Sequence, residues 1–256
     1  MLLRSITKHV RDQNWLAVAL DFFIVVAGIL IAFQITNWNE ARTDAIQEKE
    51  ILADLLDDLR ADQAALSSSL QLTTLGIDAG NTALLTAGLK PVQSVSFPGQ
   101  TSALVPTGID IELPSRPTDE MRSNLWKHVT LRLYPAHNDA TIESLIAAGK
   151  SSIIQNTSLV RDLQRYRTLW TGVESAQVNT FRPIRDRAIF VGQEHDLSPH
   201  TPVDPDVLAE ALRNDPTLRA ALRTMVEYTI AHQGFFERLQ QDAETLAMRI
   251  EEDLQQ

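Results

Sequence analysis

Cysteine is absent from the 256-residue chain. Disulfides, thiolate nucleophiles and cysteine-held zinc or iron–sulfur centres are therefore excluded. Basic charge is scarce: 23 Lys and Arg stand against 33 Asp and Glu, for a formal net charge of −10. That balance disfavours nucleic acid as a partner, because such binding needs a basic surface to displace counterions. The usual catalytic signatures are missing too. No G-x-S-x-G, P-loop or G-x-G-x-x-G occurs, and the six histidines form neither H-x-x-x-H nor H-E-x-x-H. No catalytic, cofactor or metal site is expected. The loop triplet Glu194-His195-Asp196 could touch a metal, but such isolated triplets are common. His232 falls on an apolar helical stripe and reads as a core histidine.

Polar residues are also missing from one stretch. Between Trp15 and Phe33 every residue except Asp21 is apolar or glycine. A run of this length crosses a bilayer core of roughly 30 Å at about 1.5 Å per residue. A soluble core helix would show polar positions every three or four residues, and residues 22–33 have none. Trp15 and Trp38 bracket the run, where interfacial aromatics belong. The sequence Phe33-Gln34-Ile35-Thr36-Asn37-Trp38 offers no small-residue cleavage site. The expectation is an uncleaved signal anchor over residues 15–38. Residues 1–14 would form a cytoplasmic tail, and residues 39–256 an extracytoplasmic domain. The orientation rests on Arg4, Lys8 and Arg11 before the span, under the positive-inside rule.

Asp21 has two readings: a carboxylate parked at the inner headgroup boundary, or a contact with another helix. Ala17, Asp21, Gly28 and Ala32 share a helix face, and Gly28 with Ala32 forms a small-xxx-small pair.

After the span the helix is expected to continue as a stalk to about residue 72. Leu52, Leu55, Leu59, Leu66 and Ser69 or Leu70 recur at helical spacing as its apolar stripe, and the opposite face is acidic. Gly76, Gly80 and Gly88 suggest at best a short helix over residues 77–89. Prolines crowd residues 91–118, which read as a loop-rich insertion with strand-like pieces "SVSF", "SALV" and "DIEL". Helices are expected over residues 119–133 and 138–148, the second closed by Gly149. An extended "SSII" link follows, then a helix capped near Asn156 that runs through Trp170 towards Thr180. Residues 191–206 read as loop, residues 207–213 as a turn or two. Asp215-Pro216 is a strong helix start, and an apolar stripe then continues nearly to the end, with a bend at Gly234 allowed. The fold class is mainly α: a transmembrane helix continuing into a stalk, packed with a long C-terminal helix in an antiparallel bundle that carries a loop-rich or short β insertion.

The segment "IVVAGILIAFQITNWNEAR…EKEILADLLDDLRAD" resembles an uncharacterised bacterial family of single-span membrane proteins. Asp21, Gly28, Ile29, Leu30, Ile31, Ala32, Gln34, Asn37, Trp38, Asn39 and Glu40 match its anchor signature, with Asp21 where Glu is usual. Residues 143–167 match a second, looser block. The resemblance implies a bacterial inner-membrane protein with a helical extracytoplasmic domain and adds no chemistry. Partners expected are the lipid bilayer and another membrane or periplasmic protein, or a second copy of the chain.

One further cluster stands out in this acidic chain. Arg161, Arg165, Arg167, Arg182, Arg185 and Arg187 gather with Tyr166, Trp170 and Phe181. Arginine forks hold carboxylates and phosphates, so Arg161, Arg165, Arg182 and Arg185 could contact an anion or an acidic partner. The plainer expectation pairs them with Asp54, Asp57, Asp58 and Asp62 of the stalk.

Overall fold

The computed structural model describes residues 15–96, 108–111, 119–132 and 134–255. Arg4, Lys8, Arg11, the piece at residues 102–105 and the side chain of Trp15 lie outside the described residues. The chain divides into two units, residues 1–50 and 51–256. Helix α1, Trp15–Thr86, contributes to both. It is the described helix that is long and apolar enough to cross a membrane.

In the first unit α1 is exposed along its apolar length. Its large side chains from Leu20 to Trp38 are 58–70% exposed, except the half-buried Val26. Asp21, Gly28, Ala32 and Gln34 are exposed as well. The Arg42 guanidinium lies 6.0 Å from the Trp38 ring centroid, within cation–π range.

The second unit is a helical bundle. It contains the rest of α1, the strands β1 (Ser94–Ser96) and β2 (Gly108–Asp110), and the helices α2 (Asp119–Ser123), α3 (Leu125–Thr130), α4 (Ala140–Ala147), α5 (Thr157–Ala176), α6 (Arg182–Gln193), α7 (Pro205–Asn214) and α8 (Pro216–Leu254). Helices α1 and α8 run antiparallel, since Arg60 pairs with Glu251 at 2.8 Å while Gly80 meets Val226. The two strands form an antiparallel pair with Val95 opposite Ile109.

Several starts and stops follow local chemistry. Asn156 caps α5 by accepting from the Leu159 N–H at 3.1 Å. Asp215 accepts from Thr217 and Leu218 at the head of α8, with Pro216 at the first turn. Gly149, at φ +66°, closes α4 in the left-handed conformation that favours glycine.

Other expectations are corrected. The stalk does not stop near residue 72; α1 continues through Gly76 and Gly80 to Thr86. These glycines serve close packing. A Cβ at Gly80 would stand 2.2 Å from Val226 Cγ2, and one at Gly76 would stand 2.6 Å from Arg132 Nη1. The helix expected over residues 119–133 is two short ones that meet at Asn124. The "SSII" link contains a 3₁₀ turn, Ser151–Ile153. Residues 205–214 form ten residues of helix, with Asp204 accepting from Asp206 and Pro205 in the first turn. The largest correction follows α5. A π-turn, Gln177–Phe181, leads directly into α6. Pro183 has no N–H to give, and the wider π-turn absorbs this without ending the helix.

Two hydrophobic clusters fill the bundle. One gathers Leu52, Leu59 and Leu66 of α1, Leu163 and Trp170 of α5, and Phe236, Leu246 and Ile250 of α8. The other gathers Ile77 and Leu84 of α1, Trp126 of α3, Phe181, Leu208 of α7, and Leu222 and Ile230 of α8. Where each long helix passes from one cluster to the other it buries polar residues: Ser69 and Thr73 on α1, Gln177 in the π-turn, Thr229 and His232 on α8. Tyr134 packs against both clusters.

Candidate functional site

Asp62 lies on the core face of α1, three residues after Leu59 and four before Leu66. Its side chain is 1% exposed. Buried carboxylates need donors, and the donors here come from far along the chain. The backbone N–H of Asn138 donates to Oδ1 at 2.8 Å, and the Asn138 side-chain amide reaches the same oxygen at 3.4 Å. The Tyr166 hydroxyl donates to Oδ2 at 2.9 Å. His137 Nε2 stands 3.5 Å from Oδ2. The His137 ring stacks on Trp170 at 4.9 Å with an interplanar angle of 9°, and Tyr166 meets both rings edge-on.

Neighbouring charges support this junction. Helix α4 starts without a cap bond from its own Asp139. Instead Asp58 of α1 accepts from the Thr141 N–H at 3.2 Å, a cap supplied by another helix. Arg167 reaches Asp139 at 3.5 Å and Glu143 at 3.7 Å. The result is a small cleft lined by Asp58, Asp62, His137, Asn138, Tyr166 and Arg167, with Leu55 and Leu163 at its apolar wall. Its enclosed space, about 20 Å³, has room for a water.

Burial sets the protonation states. It pushes the Asp62 carboxyl up to about 6, against the lowering pull of Asn138 and Tyr166, and Asp58 adds a smaller upward push. Burial likewise pulls His137 below its ordinary value, opposed by Asp139. The Tyr166 phenol is raised, by burial first and by Asp62 second. The Asp62 carboxyl therefore takes up a proton as pH falls to about 6, while His137 beside it is kept neutral by burial. No group of three or more His, Asp or Glu converges to hold a metal among the described residues.

The arginines are arranged differently from expectation. They do not pair with the stalk acids: Asp57 takes Arg60, Asp58 caps α4 and Asp62 takes Tyr166 and Asn138. Two of them pair with acids on their own helices, and Arg167 pairs with Asp139 and Glu143. Arg165 lies 3.4 Å from Asp162 on its own helix, and Arg185 lies 2.8 Å from Asp186. Arg161 and Arg182 are exposed. The triplet Glu194-His195-Asp196 serves a cap. His195 Nε2 is 2.7 Å from Asp215 Oδ2 and, with the Thr217 N–H, holds that carboxyl below its ordinary value.

Asp62 itself was legible in the sequence. Leu52, Leu55, Leu59, Asp62, Leu66, Ser69 and Thr73 alternate by three and four residues, so the acid falls on the apolar stripe rather than opposite it. His137 and Asn138 carried no local signal. The loop that brings them to Asp62 is placed by tertiary contacts.

Compared with known proteins, the chain matches no family model, no curated protein and no solved structure.

Proposed function

We propose that the chain is a single-pass membrane protein whose helical domain works outside the cytoplasm as a scaffold or protein-interaction module. The observation that carries this is the apolar surface of α1. Large side chains 58–70% exposed from Leu20 to Trp38 are unfavourable in water and favourable in lipid. The Asn37-Trp38-Asn39-Glu40 exit supports an interfacial position for Trp38, with Arg42 against its ring. The resemblance to the single-span family points the same way, as do the basic residues before the span. The cleft at the Asp62 junction has room for a water. Contact with a second protein, or with another copy of the chain, suits such a surface-acting domain.

An alkaline phosphatase fused after Gln256 in a bacterial host tests the topology. Enzyme activity is expected. A silent phosphatase beside an active cytoplasmic reporter at the same position would overturn it. The interaction is tested by installing photo-crosslinking residues at the exposed Val178, Phe190 and Met248. A discrete adduct in native membranes is expected from at least one position, and absence at all three would count against the module reading.

A second reading is a ligand-binding module that signals through a partner and recognises an anion. One observation favours it: Arg132 and Tyr134 meet on the Phe181 ring, at 5.0 Å and 6.3 Å, and burial raises the Tyr134 phenol while Arg132, Arg185 and Arg182 pull it down. Arg161 and Arg165 would then have no part in the site.

A further inference from the structure

Arg132 follows α3 and is half-buried in the polar layer between the two hydrophobic clusters. Its guanidinium crosses α1 at Gly76, where any side chain would collide with it. Nη2 donates to the Thr229 hydroxyl, and Cζ stands 5.0 Å from the Phe181 ring centroid. No described acid pairs with it. Its Nε is sealed from solvent without an acceptor. Burial lowers Arg132 to about 10, so it remains charged at neutral pH. An uncompensated charge in such a place is costly.

Two more polar atoms beside it are sealed and unpartnered, the Tyr134 hydroxyl and His232 Nε2. His232 is 6% exposed and holds the Tyr228 carbonyl through Nδ1 at 3.0 Å, which leaves Nε2 bare. Both residues, like Arg132, pack on the Phe181 ring, at 6.3 Å for Tyr134 and 4.6 Å for His232. Arg185 acts on Arg132 and on Tyr134, and Arg182 acts on Tyr134. Among the described residues, the acid acting on Tyr134 is Asp186, which Arg185 already holds and which is itself 57% exposed. Excess positive charge, orphaned polar atoms and a π-turn therefore coincide at one place in the fold.

We propose that Arg132, Tyr134 and His232, with Arg182 and Arg185 on the solvent side, form a binding site for a small oxyanion, a carboxylate or a phosphate. The anion accepts from the Arg132 fork and from the Tyr134 hydroxyl. His232 answers by taking a proton on Nε2 and becoming a further donor. This inference rests on the ligand-binding reading and supplies its residues.

The test uses the full chain in detergent, with inorganic phosphate and acetate as separate probes against chloride at equal ionic strength. Millimolar phosphate or acetate is expected to raise the thermal midpoint, as any ligand of the native state does. It is also expected to move the His232 titration, followed by NMR, upward from about 4. Which probe acts more strongly identifies the oxyanion class. Arg132→Gln should abolish both effects. Arg182→Gln and Arg185→Gln, which alter the solvent side, should fold normally and weaken binding by about tenfold each. An unmoved His232 titration with both probes would overturn the site, as would a midpoint shift that persists in Arg185→Gln and Arg132→Gln alike. Either result leaves the topology and crosslinking tests of the interaction module untouched.

Discussion

Asp62 and Arg132 are two charged side chains drawn into the same bundle, and they are treated in opposite ways. Asp62 is met by a backbone amide, a side-chain amide, a phenol and an imidazole. Arg132 is met by a hydroxyl, a carbonyl and an aromatic face, with no described acid and with Nε unpartnered. The first is a closed junction that ties α1, α5 and the segment before α4 together. The second is an open one. A charge whose polar partners are complete stabilises the fold around it; a charge left incomplete costs free energy until something else completes it.

The comparison breaks most severely where each site leans on an aromatic ring. Trp170 and Phe181 are both fully buried, the first stacked on His137 and the second at the centre of the Arg132 group. Trp170→Ala and Phe181→Ala should each cost about 3–5 kcal/mol in denaturant unfolding, from lost burial and the cavity left behind. A cost below about 1 kcal/mol for either would mean that its ring is not what organises that site.

Removing the charges separates the two sites by sign. Asp62→Ala leaves the Tyr166 hydroxyl and the Asn138 N–H without an acceptor, and should cost about 1–3 kcal/mol. Arg132→Met removes a cation that has no counter-charge, and without added anion should be neutral or stabilising. Equal destabilisation by both substitutions, measured in chloride buffer, would erase the distinction.

Titration sharpens it further. Asp62 is raised in the fold to about 6, so its contribution is present at low pH and is lost as pH rises through 6. His137 is lowered, so its contribution is present above about 6.5 and is lost as pH falls. The two slopes oppose each other in the wild-type junction. Asp62→Asn should expose the histidine slope, so that the variant's own stability declines as pH falls below about 6.5. His137→Gln should expose the carboxylate slope, with the variant's own stability rising by on the order of 2 kcal/mol as pH falls from above 6 towards 4. Thermal midpoints across this range check both signs, and parallel curves for the two variants would contradict the junction. The smallest effect belongs to Arg60→Ala. Its pair with Glu251 is solvent-exposed, and its loss should change stability by about 0.2–1 kcal/mol at most.

The junction and the open site differ in how far sequence reasoning could reach them. The stripe that includes Asp62 repeats within one helix, so its face can be counted out from α1 alone. Tyr166 and Trp170 fall on the stripe of α5 in the same way. His137, Asn138, Arg132 and Tyr134 lie in the irregular stretch around α3 and α4, where no period marks a face. The arginine cluster of residues 161–187 was visible as composition, yet composition could not say which arginines pair locally. Arg165 and Arg185 do so, with acids three residues and one residue away.

What the sequence determined alone was what a turn of helix or a run of side chains can decide. The apolar span follows from its length and its lack of polar positions. The caps at Asn156 and Asp215 and the stop at Gly149 follow from side-chain and backbone chemistry within a few residues. The tertiary structure decided what depends on neighbours far along the chain. Gly76 and Gly80 lie inside α1, and Arg132 and Val226 take the space that a side chain there would fill. Asp62 becomes a buried junction because Asn138 and Tyr166, 76 and 104 residues away, supply its donors. Desolvation and close contact are properties of the assembled interior, and no local pattern contains them.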